Sequence, residues 1–495
     1  MELILITIYG LALLFIFCYS LIQIQLVVKY KRYKKNQTSR LSGEVDLTFL
    51  PKVTVQLPTF NEMYVVNRLI DSVVELDYPK DRLEIQVLDD SIDETVEIAK
   101  AKVAEWQKQG FDVKYIHRTD RSGFKAGALA EGLKTAKGEF IAIFDADFLP
   151  KKDFLKRIIP HFKNGELGMI QSRWEHINEK YSMLTKLQAF GLDAHFSVEQ
   201  GGRNAGGHFI NFNGTAGVWR RKAIEEAGGW QSDTLTEDLD LSYRAQLKGW
   251  KFLFVEEVGA PAELPAAMNA LKTQQFRWNK GAAECTRKNL MKVLKATDLS
   301  LGTKLNATFH LMNTAVFICI VILALLSIPM LAIKEHFHEY DLLFKLAGFF
   351  LITLPILGLF YWTSLRGSYE TKWKTFTHFI VLFPMFLSVS MGLSLHNAMA
   401  VLEGYIGKKS PFIRTPKFNL TDDKTKKWNA NVYLKKSINP LTILEILFAI
   451  YFLGGIILGF HYEDYGLMPF HLMLFLGFAY VSLFSVTHSF KASKG

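Results

Sequence analysis

Residues 3–28 form an almost uninterrupted apolar run. A helix of about 20 apolar residues crosses the hydrocarbon core of a bilayer. The positive charge comes after the run, at Lys29, Lys31, Arg32, Lys34, Lys35 and Arg40. A cleaved signal peptide carries its charge ahead of a shorter run. The pattern therefore predicts an uncleaved anchor (1–28) with the N-terminus outside, and a basic juxtamembrane linker (29–49) in the cytoplasm. Apolar runs return after residue 300, with candidate spans at 309–333, 342–365, 441–461 and 467–488. The stretch 377–402 differs: Pro384, Ser388, Ser390, Gly392, Ser394, His396 and Asn397 interrupt it, as suits an interfacial or re-entrant helix.

Charge placement fixes the expected topology. The loop 404–440 carries Lys408, Lys409, Arg414, Lys417, Lys424, Lys426, Lys427, Lys435 and Lys436. Positive loops stay cytoplasmic, so the crossings between residue 300 and this loop should be even in number. The expectation is five spans with a cytoplasmic C-terminus. A formal net charge of +10 also suits a nucleic-acid partner. The densest basic runs adjoin apolar segments, however, which points to the bilayer and away from nucleic acid. The three cysteines (Cys18, Cys285, Cys319) have no metal or redox spacing.

Between about 50 and 300 the texture changes. Residues 53–57, 84–88, 113–116 and 140–144 read as buried strands, and 62–76, 93–109 and 123–136 as helices. Such alternation predicts a doubly wound α/β domain with a mainly parallel sheet, followed by a membrane region (301–495). These sheets bind ligands at the carboxyl ends of their strands. Polar clusters follow three of the strands: Pro58-Thr59-Phe60-Asn61-Glu62, Asp89-Asp90-Ser91 and Asp145-Ala146-Asp147.

Four motifs can carry chemistry. Asp145 and Asp147 offer two hard oxygen ligands for a divalent cation that bridges a diphosphate. Residues 122–129 (Ser-Gly-Phe-Lys-Ala-Gly-Ala-Leu) open a helix, where backbone amides and Lys125 suit a phosphate, or else form a plain tight turn. Residues 234–244 put Glu237, Asp238 and Asp240 at a helix start, where acids serve as caps, with Thr234 and Glu237 spaced as a capping box, or as a base. Gln274, Gln275, Arg277 and Trp278 lie on an amphipathic segment; they suit a sugar and a phosphate, or anchorage at lipid headgroups.

In this order, Asp89-Asp90, Asp145-x-Asp147, Thr236-Glu237-Asp238 and Gln274-x-x-Arg277-Trp278 resemble the membrane-embedded family 2 glycosyltransferases, whose catalytic domain has the GT-A (Rossmann-like) fold. The likeness is strong over about 50–290 and looser in the membrane region. Residues 211–217 and 233–244 are similar to the plant cellulose synthase-like A and C branch, the mannan and glucan synthases. The resemblance implies roles. Pro58, Thr59, Asp89 and Asp90 would hold the nucleotide base and ribose, and Lys125 the diphosphate. Asp145 and Asp147 would hold Mg²⁺ or Mn²⁺. Asp238 would be the base, and Gln274, Gln275, Arg277 and Trp278 would bind the acceptor end and donor phosphates. Glu62 and Glu237 complete the expected substrate-binding set. Phe412-Ile413-Arg414-Thr415-Pro416-Lys417 resembles the gating loop of cellulose synthases, with Arg414 where that loop carries valine.

The expected activity is a processive inverting synthase. It would take a nucleotide-sugar donor (GDP-mannose or UDP-glucose), extend a β-1,4-linked polysaccharide and pass it through the membrane. One base and no enzyme nucleophile imply a single displacement with inversion. Alternatives are a non-processive transferase acting on a lipid acceptor and a non-catalytic nucleotide-sugar sensor.

Overall fold

The computed structural model describes residues 1–37, 48–365, 371–423, 425, 428–434 and 439–491. Arg40, Lys424, Lys426, Lys427, Lys435 and Lys436 lie outside these described residues. The four expected strands form as β1 (Val53–Thr59), β2 (Leu83–Asp89), β3 (Asp112–His117) and β4 (Phe140–Ile143). Every residue of β2 is buried, as a strand covered on both faces requires. The intervening helices are Val66–Val74, Thr95–Lys108 and Phe124–Thr135. The first buries Val66, Leu69, Ile70, Val73 and Val74, a stripe at helical spacing laid against the sheet.

Three strands were not expected: β5 (Leu167–His176), β6 (Gly217–Arg220) and β7 (Lys251–Ala262). Among the described residues the seven strands make one sheet, in the order β3-β2-β1-β4-β6-β5-β7. β6 runs antiparallel to both its neighbours, and the other pairings are parallel, so the sheet is mainly parallel as read. The chain leaves β1 for β2 on one side and returns to β4 on the other. The carboxyl ends of β1, β2 and β4 therefore open onto a switch point, where such sheets take ligands.

Among the described residues, six helices are long and apolar enough to cross a membrane, the signature of an integral membrane protein. They are Glu2–Lys35, Ala315–His336, His338–Leu365, Lys372–Gly392, Leu441–His461 and Met468–Lys491. The fourth falls in the stretch 377–402 that was read as one interfacial helix. That stretch is instead two helices, Lys372–Gly392 and Ser394–Ile406, which meet at Leu393. The cause is a close backbone crossing. A Cβ on Gly392 would lie 2.3 Å from the Gly477 carbonyl oxygen, and one on Gly477 would lie 1.9 Å from that of Ser388. Just past the turn, Leu395 packs with Ala324, Phe452, Leu474 and Phe478 inside the helix bundle.

Candidate active site

The rim is built by fastening the loops after β1 and β2 to each other. Asn61 sits at φ 54°, and its N–H donates to Ser91 Oγ at 2.7 Å. Asn61 Oδ1 accepts from the Ile92 N–H at 3.0 Å. Asp89 is fully buried; it accepts from the Ser91 N–H at 3.0 Å and from the Tyr115 hydroxyl at 2.7 Å. Asp89 thus secures the rim and stands outside the cleft lining. Asp90 lines the cleft, with Arg118 Nε donating to Oδ1 at 2.8 Å and Nη2 to Oδ2 at 2.5 Å.

The cleft measures about 1240 Å³ with its open mouth and gathers Pro58, Thr59, Glu62, Asp90, Lys125, Asp145, Asp147, Glu237, Asp238, Gln274, Arg277 and Trp278. Lys125 arrives on the helix Phe124–Thr135, whose entrance is tightly wound: Gly123 has φ +72°, and a Cβ on Gly127 would lie 2.2 Å from the Ser122 oxygen. Lys125 Nζ donates to Asp145 Oδ1 at 2.5 Å and to the Gly214 oxygen at 2.9 Å. Asp147 accepts from Lys417 Nζ at 2.7 Å. Two cations thus already face the two carboxylates, the charge placement a divalent ion also needs. Among the described residues no group of three or more His, Cys, Asp or Glu gathers as a metal cage. An Asp145–Asp147 pair fits Mg²⁺ or Mn²⁺, which bind through one or two carboxylates and complete their shell with substrate phosphate and water.

The helix Glu237–Gln246 presents the proposed base. The expected Thr234–Glu237 capping box does not form: Thr236 is the N-cap and makes no side-chain cap bond. Asp238 Oδ1 accepts from the Leu239 N–H at 2.8 Å. Its other oxygen faces Gly214, where a Cβ would come within 2.9 Å. Burial pushes the Asp238 carboxyl above the usual carboxylate range, and the neighbouring Glu237 charge adds to this. Burial raises Glu237 too. Asp240 has a different job, accepting from Arg244 at 2.8 Å, Lys288 at 3.0 Å and Asn289 at 3.0 Å.

Gln274, Arg277 and Trp278 share one face of the helix Met268–Lys295, at i, i+3 and i+4. Gln275 points elsewhere. It lines a second cavity of about 790 Å³ that runs among the membrane helices. Leu192, Gln274 and Trp278 line both spaces, so the cleft continues into the bundle.

The loop resembling a gate is seated over the cleft. Arg414 pairs with Glu62 at 2.6 Å and lies over the Tyr433 ring at 4.4 Å. Phe412 stacks on Phe124 at 5.6 Å and against the Arg277 guanidinium at 4.4 Å. The Phe418 N–H donates to Glu263 at 2.7 Å. Burial pushes the Glu62 carboxyl up to about 7 although Arg414 opposes it.

Several residues in or beside the cleft had been given no role from sequence. Arg118 follows β3 directly, so its rim position was available as a signal. Arg121 packs over the Phe60 ring at 3.3 Å. Trp174 and His176 end β5, a strand that was not anticipated. Asn213 and Gly214 carried only a family likeness.

The mainly parallel sheet is that of a GT-A fold, with the acid pair and the buried carboxylate gathered at its open end. Residues 51–281 match the family described as "Glycosyltransferase like family 2". It is 39% identical over 336 residues to glucomannan 4-beta-mannosyltransferase 1 of Cyamopsis tetragonoloba, covering 65% of this chain and 64% of that one. It is 38% identical over 319 residues to the Oryza sativa subsp. japonica protein of the same name, covering 62% and 61%. The chain therefore spans about three fifths of the length of these relatives. Among solved structures, the mannosyltransferase PcManGT of Pyrobaculum calidifontis, determined with GDP-Man and Mn²⁺, shares the fold. Its TM-score is 0.53 at 19% identity, covering 82% of this chain and all of that one.

Proposed function

We propose that the chain is a processive, inverting β-glycosyltransferase that extends a β-1,4-linked mannan, glucomannan or glucan from a nucleotide-sugar donor. The observation that carries this reading is Asp238: a buried carboxylate, raised in pKa, in one cleft with Lys125, Asp145 and Asp147. Its free oxygen accepts the proton of the acceptor hydroxyl as that hydroxyl attacks the anomeric carbon. Lys125 and Arg277 draw the leaving diphosphate's charge away from the sugar. Asp145 and Asp147 would hold Mg²⁺ or Mn²⁺, which would supply further charge stabilisation at the diphosphate. Pro58, Thr59 and Asp90 frame the base and ribose, and the 412–417 loop excludes water. A single displacement turns an α-linked donor into a β-linkage. The names of the relatives favour mannose, hence GDP-mannose.

Processivity is supported by the passage beyond Trp278, which offers a grown chain a way into the bundle. The helices Lys372–Gly392 and Ser394–Ile406 suit a re-entrant pair. They turn against Gly477, midway along Met468–Lys491, and the second returns toward Lys280 and the loop. Such a pair keeps the crossing number even and places the catalytic domain and loop on one side, the cytoplasm. The N-terminus is then outside and the C-terminus inside. The bounds 1–28, 29–49, 50–300 and 301–495 serve as the proposed domains.

Membranes incubated with labelled GDP-mannose or UDP-glucose, followed by linkage analysis, test the reading. A long β-1,4 polymer is expected. A single sugar on lipid would refute processivity, and no transfer from either donor would refute the transferase reading. A reporter inserted near Lys424 should read cytoplasmic.

A further inference from the structure

Asn213 lines the cleft, and the packing behind it decides which end of its amide faces which way. The amide nitrogen of Gln200 lies 2.9 Å from the backbone oxygen of Asn211. That oxygen only accepts, so the Gln200 group facing it must be the NH₂. The same nitrogen is 2.7 Å from Asn213 and therefore donates to Oδ1. This turns the Asn213 NH₂ toward His195 Nε2, 3.1 Å away. A donor there requires an acceptor opposite, so Nε2 carries no proton. The ring proton is on Nδ1, where Glu199 Oε2 accepts it at 2.6 Å. The other Glu199 oxygen accepts from Arg203. One backbone carbonyl thus orders a partly buried chain that runs from Gln200 through Asn213 and His195 to Glu199.

The backbone supports this arrangement. His195 and Gln200 are the first and last residues of a π-helical segment, His195–Gln200. Such wide turns are uncommon and concentrate at functional sites. The segment brings both side chains onto the same amide. That amide keeps one N–H and one lone pair of Oδ1 for a ligand. Its place is next to the proposed base. Gly214 follows Asn213, and a Cβ on Gly214 would lie 2.9 Å from Asp238 Oδ2 and 3.3 Å from Lys125 Nζ.

We propose that His195, Glu199 and Gln200 are positioning residues that lock the Asn213 amide in one orientation, so that it receives a hydroxyl of the acceptor saccharide beside Asp238. The proposal rests on the transferase reading, because it takes the ligand at Asn213 to be the acceptor. A network that served only stability would affect melting and all kinetic constants together. A positioning network affects the acceptor selectively.

The test uses the full chain in detergent or nanodiscs. Binding of a β-1,4-manno-oligosaccharide to the protein loaded with nucleoside diphosphate and Mn²⁺ is measured by calorimetry, alongside transfer kinetics. His195→Phe keeps the ring but removes the acceptor atom. It should weaken oligosaccharide binding and raise the acceptor KM about tenfold, the effect of one lost hydrogen bond, with nucleotide affinity and melting temperature little changed. His195→Gln places an oxygen near the Nε2 position and should restore most of the affinity. Gln200→Met attacks the other end of the amide and should reproduce the His195→Phe defect, which also covers the case in which His195→Phe fails to fold. Unchanged acceptor affinity in a folded His195→Phe or Gln200→Met protein overturns the proposal, as does a His195→Gln variant no better than His195→Phe. An unaltered protein that binds oligosaccharide but transfers nothing overturns the transferase reading instead, and the binding measurements still decide the orientation of Asn213.

Discussion

The catalytic domain and the helix bundle use the same side chains in opposite ways. In the domain, apolar residues point inward: Val53, Val55 and Leu57 of β1 are fully buried, and charge gathers at the open strand ends. In the bundle, Phe452 and Phe478 are buried in the interior, but many other large apolar residues point outward. Ile450 is 61% exposed and Ile457 62%, whereas Lys272 and Glu445 form a buried pair at 2.6 Å. His471 meets Ser327 at 2.9 Å in the interior. Water drives apolar groups inward in the first region. Lipid gives them no reason to leave the surface in the second, so close small-residue crossings and polar contacts join the apolar packing of Phe452, Leu474 and Phe478 in holding the helices together.

The largest effect should come from the domain's open end. Asp238→Asn removes the proton acceptor without changing shape; turnover should fall by about 10²–10⁴-fold while nucleotide binding persists, as separate kinetic and binding measurements would read. Retained turnover would shift the base elsewhere. Chelation should likewise abolish transfer, and Mg²⁺ or Mn²⁺ should restore it, if Asp145 and Asp147 hold the diphosphate through a divalent ion as proposed.

The bundle should break where backbones touch. Gly477→Val forces a side chain against the Ser388 oxygen, so the folded fraction in detergent should drop by the ~1–3 kcal/mol typical of overpacking, or more, as seen in thermal melts. A milder effect is expected in pH profiles. The proposed base Asp238 must be a carboxylate to act, and its pKa is raised by burial and by Glu237. The rate should therefore be lost as pH falls through a value above the ordinary carboxylate range. Glu237→Gln removes the neighbouring negative charge and should move that limb to lower pH; an unmoved limb would assign it to another group. The smallest effect should be on the lipid face. Ile450→Leu should change stability by less than about 0.5 kcal/mol, as a surface substitution does.

Much of the domain was legible because its strands are short β-branched runs followed by polar residues. β1 to β4 and their helices lie within a few residues of the expected positions. β5 and β7 escaped notice because they mix polar and apolar residues and pair across long intervals, His176 with Ala262 for example. Asp89 shows another limit. Beside Asp90 it looks equivalent, yet the rim turns it inward to Tyr115. Gln275 and Gln274 are neighbours in sequence, but helical geometry separates them into different cavities.

The sequence by itself determined the apolar helices, the α/β texture and the acids proposed to carry chemistry, because these depend on local hydropathy, periodicity and residue type. Only the tertiary structure decided that 377–402 turns inside the bundle, that the 412–417 loop sits on Glu62 and Asp147, and that Asn213 faces the cleft with a fixed amide. Each of these depends on contacts between segments far apart in the chain, where packing and hydrogen-bond matching choose among alternatives that local pattern leaves open.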